Sequence, residues 1–282
     1  MRSWIPGFAA RRPAALVVAG AAAIGLALAA AALGARLAPY DPLRYNPRNV
    51  LQSPSPAHLL GTDPLGRDVF SQLIGGARIS MVVGIVSVLA GMAGGTLIGL
   101  LAGTGRGRAS DLLMRAMDAL LVFPSLVLAL AITAFLGVSL WNVVGALAVT
   151  FLPTFAILVR GEVLSLRERD FVAAAWALGA RSARIMGRHL LPNVRDVLLV
   201  QGSFGVGTAI LTEASLSFLG LGVPPPALSW GRMLREGYSY LLLAPWLSIA
   251  SGAAIFLIVL AFQILSDGLR DLLGRRSGGA SA

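Results

Sequence analysis

Residues 165–193 read SLRERDFVAAAWALGARSARIMGRHLLPN. This is the one long polar stretch with helical character in an otherwise apolar chain, and its reading decides the fold. Ser165 followed by Glu168 has the spacing of a capping box, which predicts a helix start. Ala173 to Leu178 are mostly strong helix formers. Gly179 then fits the left-handed position just beyond a helix end. Ser182 suits the cap of a second short helix, and Pro192 its end. The stretch predicts helix, glycine turn, helix, held outside the bilayer between two apolar runs and presented to a partner. Phe171, Ala174, Ala175 and Leu178 share one face by i, i+3, i+4, i+7 spacing. That face is expected to meet the partner or the second short helix. Arg167, Arg169, Arg181 and Arg184 flank it and are expected to pair with acidic residues there.

Composition sets the class. The 282 residues are 56% hydrophobic and 13% charged, with a mean hydropathy of +0.79. Such a balance excludes a soluble globular domain. The chain has no cysteine, which excludes disulfides and thiolate metal sites. A net charge of +10 raises nucleic acid as a ligand. The arginines sit beside apolar runs, however, where they set membrane orientation.

Ala14 to Ala35 is uncharged and long enough to cross a bilayer, with Arg2, Arg11 and Arg12 before it. A cleaved signal peptide is the alternative, but the run exceeds a usual apolar core. It is read as a retained first span. Arg36 to Arg78 is polar and rich in proline and glycine, which argues against a long regular element. Asp68 to Arg78 could be a short interfacial helix. Ile79 to Gly105 is span two. Its glycines suit close helix packing in lipid or serve as filler on a lipid face. Between Asp118 and Arg160 lie 41 uncharged residues, too many for one span. Spans three and four are expected at about Leu113 to Leu136 and Trp141 to Val159, with Pro124 and Pro153 as possible kinks. Span five is read at Val197 to Leu219 and span six at Trp246 to Ser266. Trp230 to Glu236 is a candidate interfacial helix. The charged tail and a disordered SGGASA end follow.

Six spans put both termini on one side. Sixteen arginines fall on that side and seven on the other, which places both termini and the 165–193 stretch in the cytoplasm. The segments are then 1–77, a first span and extracytoplasmic segment; 78–270, a transmembrane domain with a cytoplasmic loop at 160–195; and 271–282, a cytoplasmic tail.

No phosphate-binding, zinc-protease or serine-hydrolase motif is present. His58 and His189 are assigned to different compartments. His58 reads as a solvated loop residue and His189 as a packed or surface residue. Ionisable residues inside a membrane are functional suspects. Glu213, followed by Ser217, either lines the pathway or outer gate, or sits at the interface paired with Arg232 or Arg235. Asp118 is expected to pair with Arg115 at i, i+3, and Asp267 to end span six. An ion-coupled carrier would show inverted halves with broken helices. A membrane enzyme would show converging catalytic groups. Neither pattern is visible.

The 165–193 stretch resembles the coupling loop of ATP-binding cassette importer permeases. Ala173, Ala174, Ala175, Gly179, His189, Leu191 and Pro192 fall on that loop's spacing, with Ala173 in place of the usual Glu and His189 in place of Ile. GTDPLGRDVFSQLIGGARIS at 61–80, and SFLGLG followed by Pro-Pro and Ser-Trp-Gly, resemble the dipeptide, oligopeptide and nickel branch. The resemblance covers about 61–270. It implies an all-α integral membrane protein of the type I importer fold in a bacterial cytoplasmic membrane. It implies a coupling surface of Asp170, Phe171, Ala173, Ala174, Ala175, Leu178, Gly179, His189, Leu191 and Pro192. It implies as partners two ATPase subunits that bind ATP and Mg, a second permease, an extracytoplasmic solute-binding protein and lipid. This chain would bind no cofactor, metal or nucleic acid.

Overall fold

The structure, a computed structural model, describes residues 13–278 other than Arg106. Arg2, Arg11, Arg12, Arg106 and residues 279–282, which entered the charge count and the tail reading, lie outside the described residues. Ten α-helices run in the order α1 (Pro13–Leu37), α2 (Val69–Thr104), α3 (Arg108–Leu121), α4 (Ser125–Leu136), α5 (Leu140–Arg167), α6 (Asp170–Ala177), α7 (Ser182–Ile185), α8 (Leu191–Phe218), α9 (Trp230–Ser239) and α10 (Pro245–Gly278). Among the described residues the only β pairing is one isolated bridge, Thr62 to Asp68.

In hydrocarbon no solvent drives helices together, so small residues that let backbones approach carry the packing. α2 shows this directly. A Cβ on Gly91, Gly95, Gly99 or Gly103 would lie within 2.5–2.7 Å of an α5 atom, from Phe151, Leu152, Phe155, Ala156 and Val163. Fourfold spacing puts these glycines in one stripe along the α5 seam. On another face, Gly84 abuts Ile210 of α8. The glycines serve packing, not lipid-face filler. α1 lies on α10, where Gly20 meets Ala261 and Leu265 while Gly268 meets Val17. α8 packs on α2 and α10, and α9 on α8 and α10. Outward-facing Leu26, Phe135, Ile249 and Phe256 are exposed, as lipid contact requires.

Span three is not a straight helix. α3 and α4 meet at 92°. Pro124 lacks the amide hydrogen that would continue α3, and it pushes the preceding residue out of helical geometry. α4 alone has 12 residues, which rise about 18 Å and fall short of a bilayer. Five helices are long and apolar enough to cross, and six spans result when the bent pair counts as one. Two further boundaries and one expected ion pair differ from expectation. Asp68 to Arg78 is no separate helix. Asp68 caps α2 through the Ser71 N–H, and the helix runs unbroken to Thr104. α10 continues past Ser266 and Asp267 through Gly278, so Asp267 ends nothing and Ser277 and Gly278 of the tail are helical. Asp118 and Arg115 form no ion pair; the described pairs lie elsewhere.

The segment before α2 has one short 3-10 helix, Pro47–Asn49, and is held by backbone hydrogen bonds such as Thr62 N–H to the Gln52 carbonyl together with buried side chains. Asp63 accepts from the Leu65 and Arg67 amides at 2.8 Å each, and from Gln72 Nε2 at 2.8 Å. Asp68 accepts from the Ser71 hydroxyl at 2.7 Å and meets His58 Nδ1 at 2.9 Å. His58 is therefore buried, with its ring tilted against Tyr40 at a centroid distance of 4.9 Å, and not a solvated loop residue. GTDPLGRD is thus a latch that holds the loop onto the start of α2.

Candidate functional site

Residues 165–193 form an elbow, built differently from the two-helix hairpin their sequence predicts. Ser165 and Glu168 lie at the end of α5, not the start of a helix. The Glu168 amide bonds back to the Ser165 and Leu166 carbonyls. Val159, Val163 and Leu166 are buried, so packing carries α5 through the local cap signal. Arg167 donates to the Gly103 carbonyl at 2.6 Å and so satisfies an orphan acceptor at the end of α2. It is committed within the chain and is not a partner-facing arginine. α6 begins at Asp170, an exposed acid in the first turn, where the helix dipole favours it.

Gly179 then turns the chain with φ +78°. Its amide bonds to the Trp176 carbonyl at 2.9 Å, and the Ala180 amide to Ala175 at 3.1 Å. This pairing is the Schellman arrangement. Ser182 does not cap; it is the first residue of α7, whose cap position is Arg181. Pro192 does not end the second arm either. α7 runs through a π-helical turn at 186–190 into α8, and Ser182–Phe218 forms one stretch of 37 residues. Pro192 has no N–H for the usual i−4 bond, and the wider turn just before it absorbs the fault. The second arm of the elbow is span five itself.

The predicted face divides. Val172 and Ala175 are buried, with Ile185, Leu190 and Val194 in the same core cluster. Phe171 at 40% and Leu178 at 88% exposure, with exposed Ala174, form the outward side. Ala173 is also exposed. The His189 ring is 6.4 Å from that of Phe171, which joins the two arms. Leu191 and Pro192 are exposed nearby in sequence. Arg169, Arg181 and Arg184 are exposed and form no ion pair among the described residues.

Glu213 and Ser217 are not part of this elbow. Glu213 stands 22 residues along α8 from Leu191, about 33 Å at helical rise. Its carboxyl is fully buried. It accepts from Ser217 Oγ at 2.7 Å and Ser80 Oγ at 3.4 Å. Ser217 also meets Ser229 at 3.3 Å, and Ser80 accepts from the Trp230 amide at 3.2 Å. Glu213 thus clamps α2, α8 and the start of α9. The interfacial pairing with Arg232 or Arg235 does not occur; Arg232 binds Glu236 at 3.1 Å. Ser80 and Ser229 escape sequence reading because they come from separate elements. Their signals in the sequence are the Ser-Trp-Gly motif for Ser229 and the end of the 61–80 run for Ser80. Gly231 abuts Ala214, and Trp230 Nε1 reaches the Leu73 carbonyl at 2.8 Å. Among the described residues no three metal-ligating side chains converge.

The site is thus an exposed elbow at one end of span five in a bundle of membrane-length helices. Residues 95–278 match the family described as binding-protein-dependent transport system inner membrane component, and the chain belongs to that family. It is a multi-pass transport subunit of the inner membrane. It is 47% identical to the glutathione transport system permease protein GsiD of Pectobacterium atrosepticum over 238 residues, 84% of this chain and 79% of that one. It is 46% identical to the dipeptide transport system permease protein DppC of Alkalihalophilus pseudofirmus over 81% of this chain and 75% of that one. Against the di/tripeptide transport system permease protein DppC of Pseudomonas aeruginosa the identity is 44%, over 84% and 80%.

Proposed function

We propose that this chain is the permease subunit of an ATP-driven importer that carries di- or oligopeptides across the cytoplasmic membrane. Relatives named for dipeptide and di/tripeptide transport support a small peptide as cargo; glutathione, for which another relative is named, nickel or another small solute is the second reading. Both termini and the elbow face the cytoplasm, in keeping with the arginine distribution. Two ATPase subunits supply ATP and Mg chemistry, a second homologous permease completes the pathway, and a solute-binding protein delivers cargo from outside.

The exposed Phe171, Ala174 and Leu178 face carries this reading. Seated in a groove on an ATPase, it moves with that groove. Because α7 is continuous with α8, displacement of the elbow reaches span five without an intervening hinge. Closure of the ATPases on ATP then rocks the bundle toward the outside, and hydrolysis reverses it. Glu213 and Ser217, at the far end of α8, hold the outer gate. The test is uptake of a dipeptide into vesicles that contain the whole assembly. Uptake is expected with ATP and no ion gradient; uptake that needs the gradient and ignores ATP contradicts the proposal.

A further inference from the structure

The loop after α8 and one face of α9 line an open cavity of about 480 Å³ at the end of α8 away from the elbow, within the usual size of small-ligand pockets. Its walls include Val138, Ser217, Pro224, Arg232, Arg235 and Glu236. The charges there are unbalanced. Glu236 is taken by two guanidiniums, Arg67 at 3.2 Å and Arg232 at 3.1 Å. Arg67 also holds Asp63. The cavity wall itself holds two arginines, Arg232 and Arg235, and one carboxylate, Glu236, and Arg235 has no ion-pair or hydrogen-bond partner among the described residues. Arg235 is exposed on the cavity wall. Its guanidinium lies over Gly220, so close that a Cβ there would stand 2.4 Å from Nη1. An exposed guanidinium that rests against a glycine backbone on the wall of a cleft, with its donors unpaired, has the chemistry to receive a planar anion.

We propose that this cavity is a subsite for the terminal carboxylate of the transported peptide, with Arg235 as the receiving group and Arg232 beside it. This rests on the peptide-importer reading. The remaining wall, formed by Val138, Val223 and prolines, makes no demand on side-chain chemistry. An importer of varied peptides has to read what they share, and the terminal carboxylate is shared by all of them. Ser217 lines the same cavity and hydrogen-bonds Glu213. A peptide arriving at Arg235 therefore abuts the clamp that joins α2, α8 and α9.

The test uses the complete transporter in lipid nanodiscs. Ser239, exposed and on the cavity wall, is replaced in this cysteine-free chain as Ser239→Cys, and its reaction with a thiol reagent is followed. Ala-Phe at about ten times its Kd is expected to slow labelling about tenfold by occupancy. Ala-Phe amide is expected to have no effect. Adding Arg235→Gln should abolish the protection, and Arg235→Lys should keep part of it. The proposal is overturned by equal protection from acid and amide, by protection that survives Arg235→Gln, or by none at all. It is also overturned if only anionic lipid, compared with phosphatidylcholine, slows labelling, since the anion is then a lipid phosphate. Uptake of Ala-Phe by the same transporter separates the two readings. Uptake without protection removes the subsite alone; no uptake removes the peptide reading and the subsite with it.

Discussion

Gly179 reverses the chain direction with a positive φ, and a Cβ there would meet nothing within 4 Å. The restriction is therefore backbone conformation, not space. An L-residue pays about 1–2 kcal/mol in that region, and Asn less. Gly179→Val is expected to insert into the membrane normally yet lose roughly tenfold in transport per ATP hydrolysed, the factor that corresponds to about 1.4 kcal/mol. Gly179→Asn should stay close to the native protein. Paired uptake and ATPase assays check this, and full coupling in the valine variant refutes a rigid elbow. Glu213 offers a different test. Glu213→Leu removes the acceptor shared by Ser80 and Ser217 and should cost about 1–3 kcal/mol in stability. Glu213→Gln keeps an oxygen acceptor and should cost less. Thermal unfolding in detergent ranks the two. Gly179 was legible in the sequence because a left-handed helix end admits few residues. The Ser165–Glu168 capping box was misread because burial of Val163 and Leu166 overrode a local signal. His58 was misread because its partner, Asp68, is visible only once the loop is folded.

At the scale of helices, the α2–α5 seam depends on contact between backbones. Gly95→Val would drive a side chain into the Leu152 carbonyl and Phe155 Cβ, both 2.6 Å from the first added carbon. Overpacking of this kind costs about 1–3 kcal/mol, and in a seam of four such glycines folded protein should fall sharply. Gly145→Ala on α5, where a Cβ meets nothing within 4 Å, should be neutral or slightly stabilising, since Ala is favoured over Gly in helices by about 1 kcal/mol. Detergent size-exclusion profiles with melting curves measure both; a Gly95→Val variant as stable as native contradicts the seam. Apolar runs made the spans legible, as expected when length and hydropathy alone set a crossing. They did not show that Pro124 turns α4 through 92° from α3, because a proline in a membrane helix is compatible with a slight kink or a full break. Nor could they show that the second arm of the elbow is span five, since a proline opening a helix and one closing it look alike.

In the whole molecule, function follows from which end of α8 meets which solvent. One end carries the elbow with its free Phe171 and Leu178. The other carries the Glu213 clamp and the Arg235 cavity. The two ends belong to one nearly continuous helical stretch, and the proposed function has a partner at one end act through it on a gate at the other. The most direct test is accessibility of Leu178, which is 88% exposed, as Leu178→Cys in a chain without other cysteines. A membrane-impermeant maleimide is expected to label it in inside-out vesicles and not in intact cells, with labelling suppressed when the ATPase subunits are bound. Labelling in intact cells would set the elbow on the outer face and contradict the account.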